Sequence, residues 1–327
     1  MENNLSFNYV EAGKIPAGSE ELNDLFVSVP LNEEESEHIT TEPYSYWKSV
    51  LRVFIKKPAA IISISLLVLL LLAIIIIPLA TPAHYIEIAY FEKHLAPSVE
   101  HIWGTDALGR DMFFGIWTSA SKSLWLALIE SAIILTVGTL FGLAWGYFRK
   151  LDPIFIELYN LIVNIPSLLV YMLLATVFSS AFPDMTQEVR LIVSLCLTGW
   201  VGEAFFIRNQ VLIINNREYN VASKTLGTPA RRIMSRNLLP FLLAVVITNL
   251  SLTIPGMISS EVSMSYFGVG LNARTLCLGG LLASGDKNFD QYWWELAYPA
   301  IVLGIIILIF FLMGMALSDA LDPKKHR

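Results

Sequence analysis

Few residues of this chain have a type and spacing that could support catalysis. A phosphate-binding loop needs a glycine-rich turn that ends in Gly-Lys followed by Ser or Thr. The single Gly-Lys pair, Gly13-Lys14, is followed by Ile15 and has no upstream glycine at the required spacing. The sequence therefore predicts no catalytic residue and no ATP hydrolysis by this chain alone. Any active process must use a partner's ATP or an ion gradient.

Polar side chains inside apolar segments are the next candidates. Glu130 and Glu203 interrupt two such segments, and Asn164 stands just before Pro166 in a third. Polar groups and helix breaks at mid-membrane often mark a substrate or ion path. Glu203 and Asn164 are the predicted path residues. For Glu203 two interpretations remain open: it faces a watery cavity or another subunit, or it is a substrate or proton site.

Three histidines share one connection between apolar segments. His84, His94 and His101 are separated by ten and seven residues, which matches no compact ligand motif. We expect a solvated loop and no metal site.

Composition indicates a membrane protein. Of the 327 residues, 55% are hydrophobic and only 15% are charged, against roughly a quarter charged in soluble domains. No basic nucleic-acid footprint is present. The predicted fold is all-α and polytopic, because six segments meet the length of about 20 residues that crosses a bilayer. These segments are 59–80, 123–148, 154–182, 189–214, 238–260 and 296–318.

The distribution of basic residues predicts the orientation. Lys and Arg cluster before the first segment, in alternate connections and after the last segment, which places both termini in the cytoplasm. The first apolar run begins too late for a cleaved signal and should be a retained anchor. Residues 1–43 are expected to form an acidic cytoplasmic tail, and residues 44–58 an amphipathic helix at the membrane interface. Residues 59–327 then form the membrane domain.

Glycines shape two parts of that domain. Gly138, Gly142 and Gly146 recur every four residues, so they share one helix face that another helix can approach closely. In the connection 215–237, a short helix beginning at Glu218 should end at Gly227. Thr228 is then a plausible N-cap for a second helix that starts at Pro229. The result is a compact knob, either an interfacial loop or a docking site for another protein.

That connection resembles the cytoplasmic "EAA" loop of ABC-importer permeases. Glu218, Tyr219, Ala222, Leu226, Gly227 and Pro240 match the family pattern, whereas Val221 and Ser223 replace the Glu and second Ala of its triplet. Residues 101–111, His-Ile-Trp-Gly-Thr-Asp-Ala-Leu-Gly-Arg-Asp, look like the outer-loop signature of the oligopeptide and dipeptide permeases. The stretches 266–271 and 317–323 are similar to the same family's C-terminal third.

The resemblance implies a five-part importer and is closest to the second permease of Gram-positive peptide importers. This chain would span a bacterial plasma membrane beside a homologous permease, above two ATPase subunits that hold ATP and Mg. An extracytoplasmic peptide-binding lipoprotein would deliver substrate, and this chain would need no cofactor. The implied coupling residues are Glu218, Tyr219, Ala222, Ser223, Leu226, Gly227, Thr228, Pro229 and Arg232. The implied outer-loop signature residues are Gly104, Thr105, Asp106, Gly109, Arg110 and Asp111, whose acids and Arg either close the loop on itself or contact the binding protein.

Three other functions remain open. Permeases for nickel or another small solute share the same signatures. A stand-alone carrier coupled to protons through Glu203 would need no ATPase. A structural membrane scaffold would transport nothing.

Overall fold

The described part of the chain is helical. The structure is a computed structural model that describes residue 54 and residues 57–271 and 275–321. The acidic tail 1–43 and almost all of the predicted 44–58 helix lie outside the described residues. The main helices are α1 (Pro58–Ala80), α2 (Met112–Tyr147), α3 (Asp152–Val163), α4 (Ser167–Ala181), α5 (Gln187–Asn215), α6 (Glu218–Thr225), α7 (Leu239–Tyr266), α8 (Leu278–Lys287) and α9 (Trp294–Leu321).

Helix length and hydropathy confirm an all-α, multi-pass membrane protein. Among the described residues, five helices are long and apolar enough to cross a membrane: α1, α2, α5, α7 and α9. A single turn at Ala230–Arg232 and a π-helical turn at Ile233–Leu238 lead into α7. If the pair α3 and α4 forms one bent span, the number of spans is six.

The predicted segment 154–182 is wrong as one continuous helix. It consists of α3 and α4, which meet at an angle of 89°. Pro166 lacks a backbone N–H and disfavours helical geometry in the residue before it, so the chain turns here. Asn164 ends α3, and its side-chain amide donates to the Asn160 carbonyl oxygen over 2.6 Å.

Two other predicted boundaries are also wrong. Helix α2 begins eleven residues earlier than the predicted segment 123–148, because Asp111 caps it. The Asp111 carboxylate accepts from the Phe114 backbone N–H over 3.0 Å, which satisfies a donor at the helix start. Helix α7 continues past the predicted end at Ser260 to Tyr266, and so contains Glu261.

The glycine face of α2 packs directly on α5, as the four-residue spacing predicts. A Cβ atom on Gly138 would lie 2.6 Å from the Glu203 Cβ, and one on Gly146 would lie 2.6 Å from the Val211 Cβ. At Gly142 it would lie 2.5 Å from a backbone atom, the Ala204 carbonyl oxygen. These two helices form the most extensive helix–helix contact of the domain.

Asp152 joins three helices at one end of this pair. Its carboxylate accepts from the Trp145 indole N–H over 2.8 Å and pairs with the Arg208 guanidinium at 2.8 Å. Trp145 is fully buried, and the guanidinium also lies over its ring at 5.3 Å. The start of α3 is therefore fixed to α2 and α5 by a polar network, and the bend at Pro166 then redirects the chain.

The close approach predicts that Gly142→Ala destabilises the domain. The new methyl group would overlap backbone, so α2 and α5 must separate and lose packing, at a cost of about 1–3 kcal/mol. The measurement is the melting temperature of the purified chain in detergent. Gly304→Ala is the matched control, since a Cβ there would have no atom within 4 Å. It should leave the melting temperature unchanged or raise it, as Ala favours helix over Gly. Equal effects of the two variants would contradict the packing.

Candidate functional site

The loop 215–237 begins with a helix that ends in a Schellman motif. Gly227 has a φ of +75°, the left-handed conformation that favours glycine. Its N–H donates to the Lys224 carbonyl oxygen over 3.0 Å, and the Thr228 N–H donates to the Ser223 carbonyl oxygen over 3.0 Å. These two bonds satisfy the last carbonyl groups of α6. The prediction that Gly227 ends this helix is confirmed.

The predicted N-cap role of Thr228 is wrong. The next turn begins at Ala230, with Pro229 in extended geometry at its N-cap position and no side-chain cap. The Schellman motif already uses the Thr228 N–H, so Thr228 belongs to the end of α6. The second short helix is only one turn before π-helical geometry continues into α7.

A buried amide anchors the loop, and sequence analysis missed it. Asn220 is fully buried, and its Nδ2 donates to the Ile214 carbonyl oxygen over 2.9 Å. Its Oδ1 accepts from the Asn237 amide over 3.0 Å. These bonds join the end of α5, the helix α6 and the π-helical turn. An Asn inside a short helix, where it is a poor helix former, was the signal that could have found it.

The opposite face of the loop is exposed and partly apolar. Leu226 is 85% exposed, Val221 48% and Tyr219 40%, and no atom lies within 4 Å of a Cβ placed on Gly227. Among the other predicted coupling residues, Ser223 and Thr228 are half-buried. The exposed ones are Glu218, Ala222, Pro229 and Arg232. Exposed apolar groups beside basic ones form a surface suited to a protein partner.

The loop 101–111 closes on itself through Asp106. One carboxylate oxygen of Asp106 accepts from the backbone N–H groups of Leu108 and Arg110 over 2.8 and 2.9 Å. The other accepts from the Arg110 Nε over 2.7 Å, and its distance to a terminal guanidinium nitrogen is 2.6 Å. Both side chains are only 5% exposed. In this loop Asp106 and Arg110 therefore have a structural role within the chain.

The remaining signature residues complete the turn. Thr105 is fully buried, donates to the Glu92 carbonyl oxygen and accepts from the Leu95 N–H over 2.8 Å. Gly104 and Gly109 have φ values of +76° and +80°. A side chain on Gly109 would overlap the carbonyl of Ala89, so close backbone approach also requires glycine there.

The predicted solvated histidines are mostly not solvated. His101 is buried, and its Nδ1 lies 3.0 Å from an oxygen of Asp111, the residue that caps α2. His94 lies 2.6 Å from the Glu295 carboxylate and stacks on Tyr292 at 4.1 Å between ring centroids. Of the three, only His84 is exposed, as predicted. Hydropathy could not show the partner of His94, because Glu295 is 201 residues away in sequence. Over the described ranges, no three potential ligands come together as a metal site.

The two predicted path residues have different environments. Asn164 is exposed at the break between α3 and α4, where it bonds to its own helix. Glu203 is 8% exposed, and one of its oxygens accepts from the Asn249 amide of α7 over 2.6 Å. Its other oxygen has no hydrogen-bond partner in the described part of the chain.

Two further acids are buried in the bundle. Glu261 is completely buried and accepts from the Ser123 hydroxyl over 2.7 Å and the Ser265 hydroxyl over 2.9 Å. Glu130 is also completely buried, with neither oxygen hydrogen-bonded among the described residues. Sequence analysis missed Glu261 because it ended the fifth apolar segment at Ser260.

The buried ion pair between Asp106 and Arg110 predicts that Asp106→Ala destabilises the chain. The substitution removes four contacts and leaves the buried Arg110 guanidinium without its carboxylate, at a cost of about 3–5 kcal/mol. The measurement is the melting temperature in detergent, together with the amount of folded protein. Asp184→Ala, at an exposed aspartate, is the control and should change neither. A fully stable Asp106→Ala variant would show that the loop does not depend on this pair.

Comparisons with known proteins agree with this architecture. Residues 138–327 match the family model described as "Binding-protein-dependent transport system inner membrane component". Residues 45–97 match the model for the N-terminal TM domain of oligopeptide transport permease C. The first of these models covers both Glu203 and the 215–237 loop.

Similar curated proteins match over nearly the full length. The chain is 34% identical over 296 residues to the oligopeptide transport system permease protein AmiD of Streptococcus pneumoniae, covering 89% of this chain and 94% of that protein. It is 33% identical over 302 residues to the dipeptide transport system permease protein DppC of Bacillus subtilis, covering 91% and 92%. On these similarities, and with the membrane helices and loops described above, the chain belongs to the family of binding-protein-dependent transport system inner membrane components.

Proposed function

We propose that this chain is a membrane-spanning subunit of an ATP-driven importer of oligopeptides or dipeptides. The observation that carries the proposal is its similarity, over about nine-tenths of both chains, to permeases named for peptide transport. A homologous permease would supply the other half of the translocation path. The chain itself would be non-catalytic and hold no cofactor, with ATP and Mg bound in two partner ATPases.

The orientation follows from charge and from helix connectivity. The 215–237 loop carries Arg217, Lys224, Arg231, Arg232 and Arg236, and basic residues favour the cytoplasmic side. Under this proposal both termini are cytoplasmic and the 101–111 loop lies outside. The self-closed form of that loop makes it a rigid platform beside which an extracytoplasmic peptide-binding protein can dock.

The 215–237 loop would transmit ATPase closure to the membrane helices. Its outer face offers Tyr219, Ala222 and Leu226 to a groove on an ATPase, and its inner face is tied to α5 and the π-helical turn through Asn220. Because the loop is internally bonded, a push on α6 moves the attached helices as a body. That rigid connection is what a two-state transporter requires.

This assignment predicts that Ala222→Asp uncouples uptake from ATP hydrolysis. Ala222 is exposed, so a carboxylate there costs the fold under about 1 kcal/mol but would be desolvated in the groove. We expect normal amounts of membrane-inserted protein and at least about tenfold lower peptide uptake. Uptake and ATPase activity are measured on the complete transporter in vesicles.

The matched control is Ala222→Ser, which keeps the size small and adds no charge. It should retain most of the uptake. Full uptake by Ala222→Asp would remove the 215–237 loop from the coupling role.

The proposed substrate is tested by growth and uptake. A strain lacking this chain should lose the use of short peptides as its source of a required amino acid while keeping nickel uptake. Purification of the tagged chain in mild detergent should retain a second permease and two ATPases. Normal peptide use with lost nickel uptake would replace peptide by nickel as the substrate. Transport by the isolated chain under a pH gradient would point instead to a proton-coupled carrier.

A further inference from the structure

Helix α7 carries a polar stripe on a face that the other described residues leave partly uncovered. Asn249, Thr253, Gly256, Ser260 and Ser263 follow one another at intervals of three or four residues, which places them on one helix face. The four polar side chains are half-buried, and Gly256 is exposed, with no atom of the described residues within 4 Å of the position that a Cβ would take. The partly uncovered face of α7 is therefore a polar one.

The hydroxyl hydrogens of this stripe are already used. Thr253 donates to the Asn249 carbonyl oxygen over 2.9 Å, Ser260 donates to that of Gly256 over 3.0 Å, and Ser263 donates to that of Ser259 over 2.7 Å. A hydroxyl group has one hydrogen and two acceptor lone pairs. Because each hydroxyl hydrogen is bonded to the helix backbone, the oxygen can only accept a hydrogen bond from a ligand.

Glu203 orients the Asn249 amide by engaging one of its two N–H groups. The Asn249 Nδ2 donates to a Glu203 oxygen over 2.6 Å, which turns the amide nitrogen toward the carboxylate. The amide carbonyl, an acceptor, is left on the other side. Glu203 is more than nine-tenths buried and its side chain is directed at Asn249, while its second oxygen is buried and unpartnered in the described residues.

Cavities border the stripe along both halves of α7. Near Ser260, a cleft of about 160 Å³ separates α7 from α4 and is lined by Ser167, Leu168, Tyr171, Ser259, Ser260 and Ser263. Near Asn249, a groove of about 790 Å³ lies beside α5, α7 and α9 and includes Thr248 and Asn249 in its lining. The stripe therefore borders open space at both of its ends, at Asn249 and at Ser260 and Ser263.

We propose that this face of α7 is an acceptor track that receives the α-ammonium group and main-chain N–H groups of a peptide in transit. The inference rests on the proposed function and names the substrate groups that the path would bind. An extended peptide presents N–H donors at regular intervals whatever its side chains are, and its ammonium adds three more. Acceptors that bond only to main-chain groups can bind peptides of many sequences without selecting among them.

The test compares Ser260→Ala/Ser263→Ala with the unaltered transporter, reconstituted in vesicles with its binding protein and ATPases. Uptake of trialanine should fall at least about tenfold, since each bond from a charged donor is worth a factor of that order and two acceptors are removed. Ser65→Ala is the matched control: its exposed hydroxyl on α1 makes the same bond to the carbonyl four residues earlier, over 2.8 Å. It should leave uptake unchanged.

A second readout separates main-chain binding from a structural effect. The double variant has lost acceptors for main-chain N–H groups, so its preference for trialanine over the analogue methylated at a main-chain nitrogen should shrink. The binding protein is the same in both transporters and cannot cause this difference. An unchanged preference would overturn the inference. Normal trialanine uptake by the double variant would overturn this inference alone, and no peptide uptake by the unaltered transporter would overturn the proposed function with it.

Thiol labelling tests the location of the stripe independently of transport. Ser260→Cys, in a chain with Cys196→Ala, should react with a membrane-impermeant thiol reagent, and Ser65→Cys should not. The native Cys277 should stay silent, because burial raises the pKa of its thiol to about 11 and little thiolate forms near neutral pH. Failure of Cys labelling at position 260 would place the stripe away from water and overturn the inference.

Discussion

The close approach of α2 and α5 along three glycines is the constraint on which the rest of the domain depends. It brings Glu203 against Gly138 and fixes the helix axis that leads into the 215–237 loop. The other end of α2 begins at Asp111, the last residue of the 101–111 loop. One tightly packed helix pair therefore connects the two loops that carry the family's signatures, and neither helix can shift far without the other.

Both loops are stiffened by hydrogen bonds that the chain makes to itself. Asp106 receives four contacts inside its own turn, and Asn220 bonds to segments on both sides of α6. Rigid loops at the ends of rigid helices favour motion as whole bodies over local bending. The break at Asn164–Pro166 interrupts this rigidity, so it is a place where the domain can change shape.

Buried polar groups divide into two classes by their surroundings. Glu261 is satisfied within the bundle by named donors, as stability in an apolar medium requires, and the partly exposed Asp152 bonds to Trp145 and Arg208. Glu203 keeps one oxygen without a partner in the described part of the chain and stands behind Asn249, which borders an open groove. Glu130 is completely buried with neither oxygen hydrogen-bonded among the described residues, so it belongs with Glu203, but the partner of Glu203 borders open space.

The sequence by itself determined the membrane class, the approximate spans, the glycine face and the end of α6 at Gly227. These features depend on composition, on local spacing and on a backbone conformation that glycine favours, all of which are readable along the chain. Only the tertiary structure decided the 89° bend, the burial of His101, the anchoring by Asn220 and the bond between Glu203 and Asn249. Each of the last three depends on which residues meet across the fold, and the bend depends on how the two halves pack. Hydropathy averages over neighbours in sequence, so it cannot identify a partner that only folding brings into contact.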